Sequence, residues 1–287
     1  MLKKLVSHAL FLAQNHPQVL DRWGYHIRPI HYYEPIPDFR SITREQLERR
    51  REFPSIDFRW ESQLRLLRQL AIYRDELERF SNTDFQNDYF NGFDAAVYYS
   101  LIRRLKPRRV VEIGSGHSTR IAHKALTRNG PNGRLTCIEP YPEERLNGHG
   151  LNVHLIQQRV EEIDVDFFSQ LEANDILFID SSHTVKFGSD VCFEFLEVLP
   201  ALKPGVWVHV HDIFFPHDYP AEWILKRRLA LNEQYLLEAF LSFNREFDVA
   251  LANHWLTLDE GAAVRELWPH ETTSSSFWFY RRPIIND

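Results

Sequence analysis

Cysteine is scarce: the 287 residues hold two, Cys137 and Cys192, in apolar surroundings and without Cys-x-x-Cys or Cys/His spacing. That excludes a disulfide scaffold and a structural zinc centre, and reads as two buried thiols of a reducing compartment. No apolar run approaches the length of a transmembrane helix, so none is expected. Positive charge is in deficit, 34 Lys and Arg against 40 Asp and Glu, for a net charge of −6. A general nucleic-acid or anionic-membrane partner is therefore not expected. The local exception, Arg103, Arg104, Lys106, Arg108 and Arg109, reads as a solvated helix end just before a buried strand. Internal repeats and low-complexity segments are lacking too. In "MLKKLVSHALFLAQ" two lysines precede an apolar run, but His8 interrupts it and no small-residue cleavage site follows. Leu2, Leu5, Val6, Ala9, Leu10 and Ala13 recur instead at helical spacing, which predicts an amphipathic helix ending near Pro17 and a cytoplasmic protein.

Apolar residues make up 44% of the chain and aromatics 14%, enough for a sizeable core. Residues 1–85 read as a helical appendage. Its strap "YHIRPIHYYEPIPDFR" is kept from regular helix by Pro29, Pro35 and Pro37. A helix carrying Leu66, Leu70, Tyr73, Leu77 and Phe80 on one stripe follows. Such an appendage is a plain cover, a lid, or the surface of a homodimer. Residues 86–287 are more regular: "RRVVEI", "RLTCIE", "NVHLIQQ", "DILFID", "GVWVHVHD", "EFDVALAN" and "SSFWFYRR" alternate with helical or turn segments, among them a long helix over 220–240. Short runs rich in Val and Ile predict an α/β fold, a doubly wound, mostly parallel seven-stranded sheet buried on both faces. Such sheets bind ligands at the carboxyl ends of their strands, here just after Ile113, Ile138, Ile179 and Val210.

The first of these ends runs "RRVVEIGSGHSTR". A dinucleotide fingerprint would place a third glycine where Thr119 stands, so Gly114 and Gly116 are weak support for NAD. Glu112, two residues before Gly114, would repel a diphosphate but suit a cationic or amino-bearing ligand. Glu139, ending the second strand, can accept hydrogen bonds from two ribose hydroxyls. Two further ends are dense in polar residues: "FIDSSHT" carries Asp180 and His183, and "HVHDIFFPHDYP" carries His209, His211, Asp212, His217 and Asp218. "FFPHDYPAEW" is too long and aromatic for a simple connection and is a candidate substrate wall. Asn87, Tyr89 and Phe90 either close over a ligand or belong to the core.

"VVEIGSGHST", "LTCIEP", "DILFIDSSHT" and "LKPGVWVHVHDIF" together resemble the class I S-adenosylmethionine-dependent methyltransferases, closest to the group with small-molecule O-methyltransferases, over residues 87–285. The resemblance implies S-adenosylmethionine as cofactor, held by Glu112, Gly114, Ser115, Gly116, Ser118, Thr119, Glu139, Pro140, Tyr141, Val160, Glu161 and Asp180. Glu112 and the glycine turn would face its methionine part, Glu139 its ribose, and the segment from Arg159 to Glu161 its adenine. With no pyrophosphate to approach, the third glycine is dispensable, and Ser118 and Thr119 are free to cap the helix. Three readings of the polar ends stand open. Asp180, His211 and Asp212 hold a divalent ion (Mg²⁺, Mn²⁺ or Fe²⁺) while His183 takes a proton; or His183 or His211 is the base without metal; or Asp180 caps a turn and the histidines are structural. The expected activity is methyl transfer to a small-molecule acceptor, at a hydroxyl or a nitrogen. The alternative is an NAD-type oxidoreductase.

Overall fold

Seven short, apolar segments become strands of one sheet in the computed structural model, which describes residues 2–79, 89–90, 92–142, 151–270 and 273–283. They are β1 (Arg109–Ile113), β2 (Arg134–Ile138), β3 (His154–Ile156), β4 (Ile176–Ile179), β5 (Trp207–Val210), β6 (Phe247–Ala252) and β7 (Phe277–Arg281), in the order β3-β2-β1-β4-β5-β7-β6. The first five run parallel, and β7 inserts antiparallel between β5 and β6. The mostly parallel, seven-stranded expectation is met. Strand order reverses between β1 and β4, so their carboxyl ends flank the crevice where such a sheet binds its ligand.

The appendage contributes α1 (Leu2–Asn15), α2 (Pro17–Asp21), α3 (Arg44–Glu48), α4 (Trp60–Leu70) and α5 (Arg74–Leu77). Pro17 does end α1, and it also opens α2, because a proline fits the first position of a helix. Leu5, Val6 and Leu10 stay exposed, so the stripe on α1 is not a core face. From Phe39 onward the appendage packs closely on the domain. Gln63, wholly buried, donates from Nε2 to Phe58 O at 2.5 Å and accepts from Ala252 N at 2.8 Å, tying α4 to the end of β6. The proposed boundary at 85/86, Asn87 and Phe80 lie outside the described residues.

Around the sheet lie α6 (Gly92–Leu105), α7 (His117–Asn129), α8 (Val165–Ser169), α9 (Asp190–Phe193), α10 (Glu233–Leu241), α11 (Asn253–Asp259) and α12 (Gly261–Leu267). One face is filled by α6, α7, α4 and α12 through residues such as Tyr98, Ile102, Ile121 and Leu67. The other is filled by α9 and α10 through Val191, Phe195 and Leu237. Past Phe193, α9 continues through a π-turn, Glu194–Val198. The single helix expected over 220–240 is instead a π-turn (Glu222–Lys226), a break with Arg228 at φ +59°, and α10. At the break Asn232 leaves the helical path, its side-chain Oδ1 accepting from Val185 N at 2.6 Å. Periodicity alone gave no sign of that partner.

Candidate active site

The turn after β1 is stitched to both neighbouring strands, Gly114 N donating to Ile138 O and Asp180 N to Ile113 O, each at 2.9 Å. Gly114 has φ +89°, and a Cβ there would stand 2.3 Å from Asp180 O, so conformation and space both demand glycine. Gly116 is different: a Cβ would meet nothing within 4 Å, so the turn faces open space on that side. Beneath the turn, Thr119 Oγ1 accepts from Gly116 N (3.0 Å) and donates to Glu112 Oε2 (2.6 Å). Glu112 also accepts from Tyr98 OH (2.9 Å) and the Cys137 thiol (3.5 Å). Burial pushes its carboxyl up to about 7 although these hydrogen bonds favour ionisation.

Glu112 and Thr119 are both fully buried and brace the turn from below. Ser118 is also nearly buried, whereas Ser115 carries a buried hydroxyl oxygen with no partner. At the end of β2, half-buried Glu139 accepts from Tyr141 N at 2.8 Å, beside half-buried Pro140 and exposed Tyr141. Past β3, a 3₁₀ turn (Val160–Glu162) buries Val160 and leaves Glu161 half-buried and 4.0 Å from Arg159.

The polar end of the cleft is built on two residues with left-handed backbone, His183 at φ +55° and Asp212 at φ +56°, a strain that clusters at functional sites. His183 Nε2 lies 3.3 Å from Asp180 Oδ1 and 3.5 Å from Asp212 Oδ2, and its Nδ1 lies 2.7 Å from Glu233 Oε2. Burial opposes charge on this imidazole, but the hydrogen bonds to Asp180 and Glu233 outweigh it and hold it protonated, well above the usual histidine range. Burial likewise opposes ionisation of Asp180, yet His211 and His183 beside it keep its carboxyl at about 2. His211 is raised, burial being overcome by Asp212, Asp180 and Asp94. His209 is wholly buried, held neutral by burial and by His211, and bonded through Nε2 to Ser276 Oγ at 2.8 Å.

The metal expectation changes here. The carboxylates of Asp180 and Asp212 converge on His183, while His211 Nε2 lies 3.7 Å from Asp212 Oδ1, 3.4 Å from Tyr89 O and 3.5 Å from Ser275 Oγ. Among the described residues no group of three or more His, Cys, Asp or Glu is placed to hold a metal ion, so the trio Asp180, His211 and Asp212 does not fit one. Their neighbouring carboxylates raise both His183 and His211 toward the protonated form.

Sequence reading missed Glu233, Glu194, Asp94 and Ser275. Asp94, buried in α6, accepts from Asn253 Nδ2 (2.8 Å), Ser274 Oγ, Ser275 N (2.8 Å) and Ser276 N (3.3 Å), and Ser275 Oγ donates to Asp212 Oδ1 at 3.1 Å. An acid in an otherwise apolar helix was the available signal for Asp94. Of the aromatic pair before α6, Phe90 is core and Tyr89 is exposed, its ring stacked on His117 at 5.8 Å.

These groups open into a cleft of about 830 Å³ lined by Tyr89, Asp94, Asp180, His183, His211, Asp212 and Ser275 at its inner end. Its outer wall is Phe214, Tyr219, Trp223, Leu231 and His254, with Arg44, Leu47 and Glu48 from the appendage. The stretch "FFPHDYPAEW" does form wall, as its length and aromatics suggested. The appendage is fastened there by Arg51 N to Pro216 O (2.9 Å), Asp218 N to Leu47 O (3.1 Å) and Arg51 to Glu238 (2.5 Å).

A parallel sheet with an antiparallel seventh strand, a glycine turn at its switch point and an acid at the end of β2 form a Rossmann-like layout, one that binds nucleoside cofactors at that crevice in many enzymes. The sequence matches the family described as a methyltransferase domain over residues 111–213. A protein of Archaeoglobus fulgidus described as uncharacterized is 33% identical over 195 residues, 61% of this chain and 86% of that protein. Among solved structures, the Podospora anserina methyltransferase PaMTH1 with S-adenosylhomocysteine bound is 15% identical, covering 75% of this chain and 87% of its own at a TM-score of 0.44. A putative O-methyltransferase of Klebsiella pneumoniae is 12% identical, covering 76% and 90% at 0.45. Residues 111–213 thus carry a methyltransferase domain, consistent with a class I S-adenosylmethionine-dependent methyltransferase and not with the NAD-type oxidoreductase. Among the described residues no helix is long and apolar enough to cross a membrane.

Proposed function

We propose that this methyltransferase acts on a hydroxyl of a small, partly aromatic acceptor, with Asp212 receiving the proton and His183 acting as a fixed cation. The observation that carries the reading is the position of Asp212, held at the cleft by a left-handed backbone and Ser275, with the charged His183 imidazole 3.5 Å away. The turn fits the cofactor: Gly116 leaves the approach clear, Ser115 offers an unpartnered hydroxyl, and Glu139 offers its carboxylate to a ribose. When bound, S-adenosylmethionine supplies an electrophilic methyl carbon on a sulfonium, whose carbon–sulfur electron pair leaves with the sulfur.

The chain's own groups do the rest. Asp212 takes the hydroxyl proton as the acceptor oxygen bonds to that carbon, and the His183 cation stabilises negative charge growing on the oxygen. The walls hold the acceptor in line, which is where most of the rate enhancement of such a displacement arises. A hydroxyl suits this site better than an amine, because Asp180 and Asp212 would keep an amine protonated and without a lone pair. No step calls on a metal.

The test is S-adenosylhomocysteine formation against catechol, 3,4-dihydroxybenzoate, benzyl alcohol and benzylamine. Turnover with a hydroxyl probe is expected, unaffected by EDTA and lost in Asp212→Asn while S-adenosylmethionine still binds. Turnover confined to benzylamine, or abolished by EDTA and restored by Mn²⁺, overturns the reading.

A further inference from the structure

Two carboxylates lie behind His183 with no access to solvent, and the methyl-transfer step as described uses neither. Glu233, the first residue of α10, is fully buried, with Oε2 on His183 Nδ1 at 2.7 Å and Oε1 without a partner. Glu194 opens the π-turn of α9, is equally buried, accepts from Ser181 Oγ at 3.0 Å through Oε2, and also leaves Oε1 unpartnered. The backbone of this corner is locked: His183 O accepts from Asn232 N (3.1 Å) and Glu233 N (3.3 Å), while Val185 N donates to Asn232 Oδ1 (2.6 Å). The loop after β4 and the start of α10 therefore form one unit, and the break before α10 is what brings Glu233 to the imidazole. A buried carboxylate oxygen without a donor is costly, and a π-turn within a helix often marks a functional position.

We infer that Glu233 is a positioning residue for methyl transfer: through Nδ1 it fixes the His183 ring so that Nε2–H is aimed between Asp180 and Asp212 into the cleft. The inference rests on the reading of Asp180, His183 and Asp212 as the methyl-transfer site. Three observations support it beyond the short contact. His183 has a left-handed backbone, a conformation that persists only where surrounding structure enforces it. Burial raises both glutamates, the negative charge of Glu233 and then Asp190 raising Glu194 further, while on Glu233 the hydrogen bond to His183 works against the rise. The Glu233 carboxylate, at the amino end of the nine-residue α10, also has the helix dipole in its favour. A neutral amide at 233 would keep the shape but lose the charge-assisted bond to Nδ1.

The experiment combines nitrogen NMR of histidine-labelled full-length protein with turnover on the best hydroxyl probe of the panel above. In the parent protein the His183 ring is expected with both nitrogens protonated and its Nδ1 proton far downfield. Glu233→Gln removes the downfield signal and lowers kcat about 10- to 100-fold, the range set by one charge-assisted hydrogen bond, with KM for S-adenosylmethionine within threefold. Glu233→Asp recovers part of both. Glu194→Gln leaves the ring signals where they were. An unchanged ring signal in Glu233→Gln overturns the inference, as does a kcat within twofold of the parent or a fall in both variants that tracks lost thermal stability alone. A parent protein inactive on every hydroxyl probe defeats the functional reading instead, and the NMR comparison, which needs no acceptor, still decides the role of Glu233.

Discussion

Replacing Glu112 by Gln tests whether that residue braces the turn or faces the cofactor. Its carboxyl is raised from 4.5 to about 7, chiefly by burial. The folded state thus prefers the protonated form, and the associated stability is fully present below about 4.5 and lost as pH rises through about 7. The full difference of about 2.5 pH units is worth about 3 kcal/mol at about 1.36 kcal/mol each. Between pH 5 and pH 8.5 the parent should lose about 2.5 kcal/mol through this group, and the variant, with no proton to give up, should lose none of it. Urea unfolding followed by tryptophan fluorescence at both pH values, parent against Glu112→Gln, isolates the contribution because every other titrating group is common to the two. The variant should gain on the parent as pH rises, and S-adenosylmethionine should bind it within about threefold of the parent affinity. A gain below about 1 kcal/mol would refute the buried-brace assignment, and a hundredfold loss of affinity would restore Glu112 to the ligand.

The other predictions concern the turn, the ribose and the wall. Gly114→Ala forces a side chain onto a left-handed backbone and into Asp180 O, and should cost at least about 2 kcal/mol in urea unfolding together with cofactor binding; an unchanged midpoint would mean the turn is not strained. Glu139→Ala should weaken S-adenosylmethionine binding at least about tenfold by calorimetry with the fold intact, since a hydrogen bond to a charged acceptor is worth about 1.5–3 kcal/mol. Leu47→Ala removes a buried side chain packed with Phe214, Tyr219 and Ile224; a loss of about 2 kcal/mol and a raised KM for the acceptor, with the cofactor KM unchanged, is the expected split.

Much of this molecule could be read before it was seen, and the limits have physical causes. The strands were legible because a buried parallel sheet demands short runs of β-branched residues, and the glycine turn because only glycine tolerates φ +89° against a neighbouring carbonyl. The partners of Glu112 were not legible because a strand-end position does not say which way a side chain turns, and Tyr98, Thr119 and Cys137, which capture it, are 14, 7 and 25 residues away. The metal trio failed for a related reason: spacing put Asp180 and Asp212 at adjacent strand ends, but the left-handed turn at His183 that drives an imidazole between them has no signature in a non-glycine residue. Glu233 was hidden inside what looked like one continuous helix.

The contact between Gly114 and the Asp180 carbonyl has an evolutionary side. The glycine turn and Asp180 are geared together by backbone, so on the proposed reading the gap across which a methyl group would pass is set by main-chain packing that point substitutions scarcely alter. The pocket beyond it is furnished by Leu47, Phe214, Tyr219 and Trp223, from the appendage and one long loop, and none of them belongs to that gear. Acceptor preference can therefore drift by exchange of wall residues while the transfer distance stays constant. Lineages sharing this strand-end contact should diverge first at those four positions and last at the glycine.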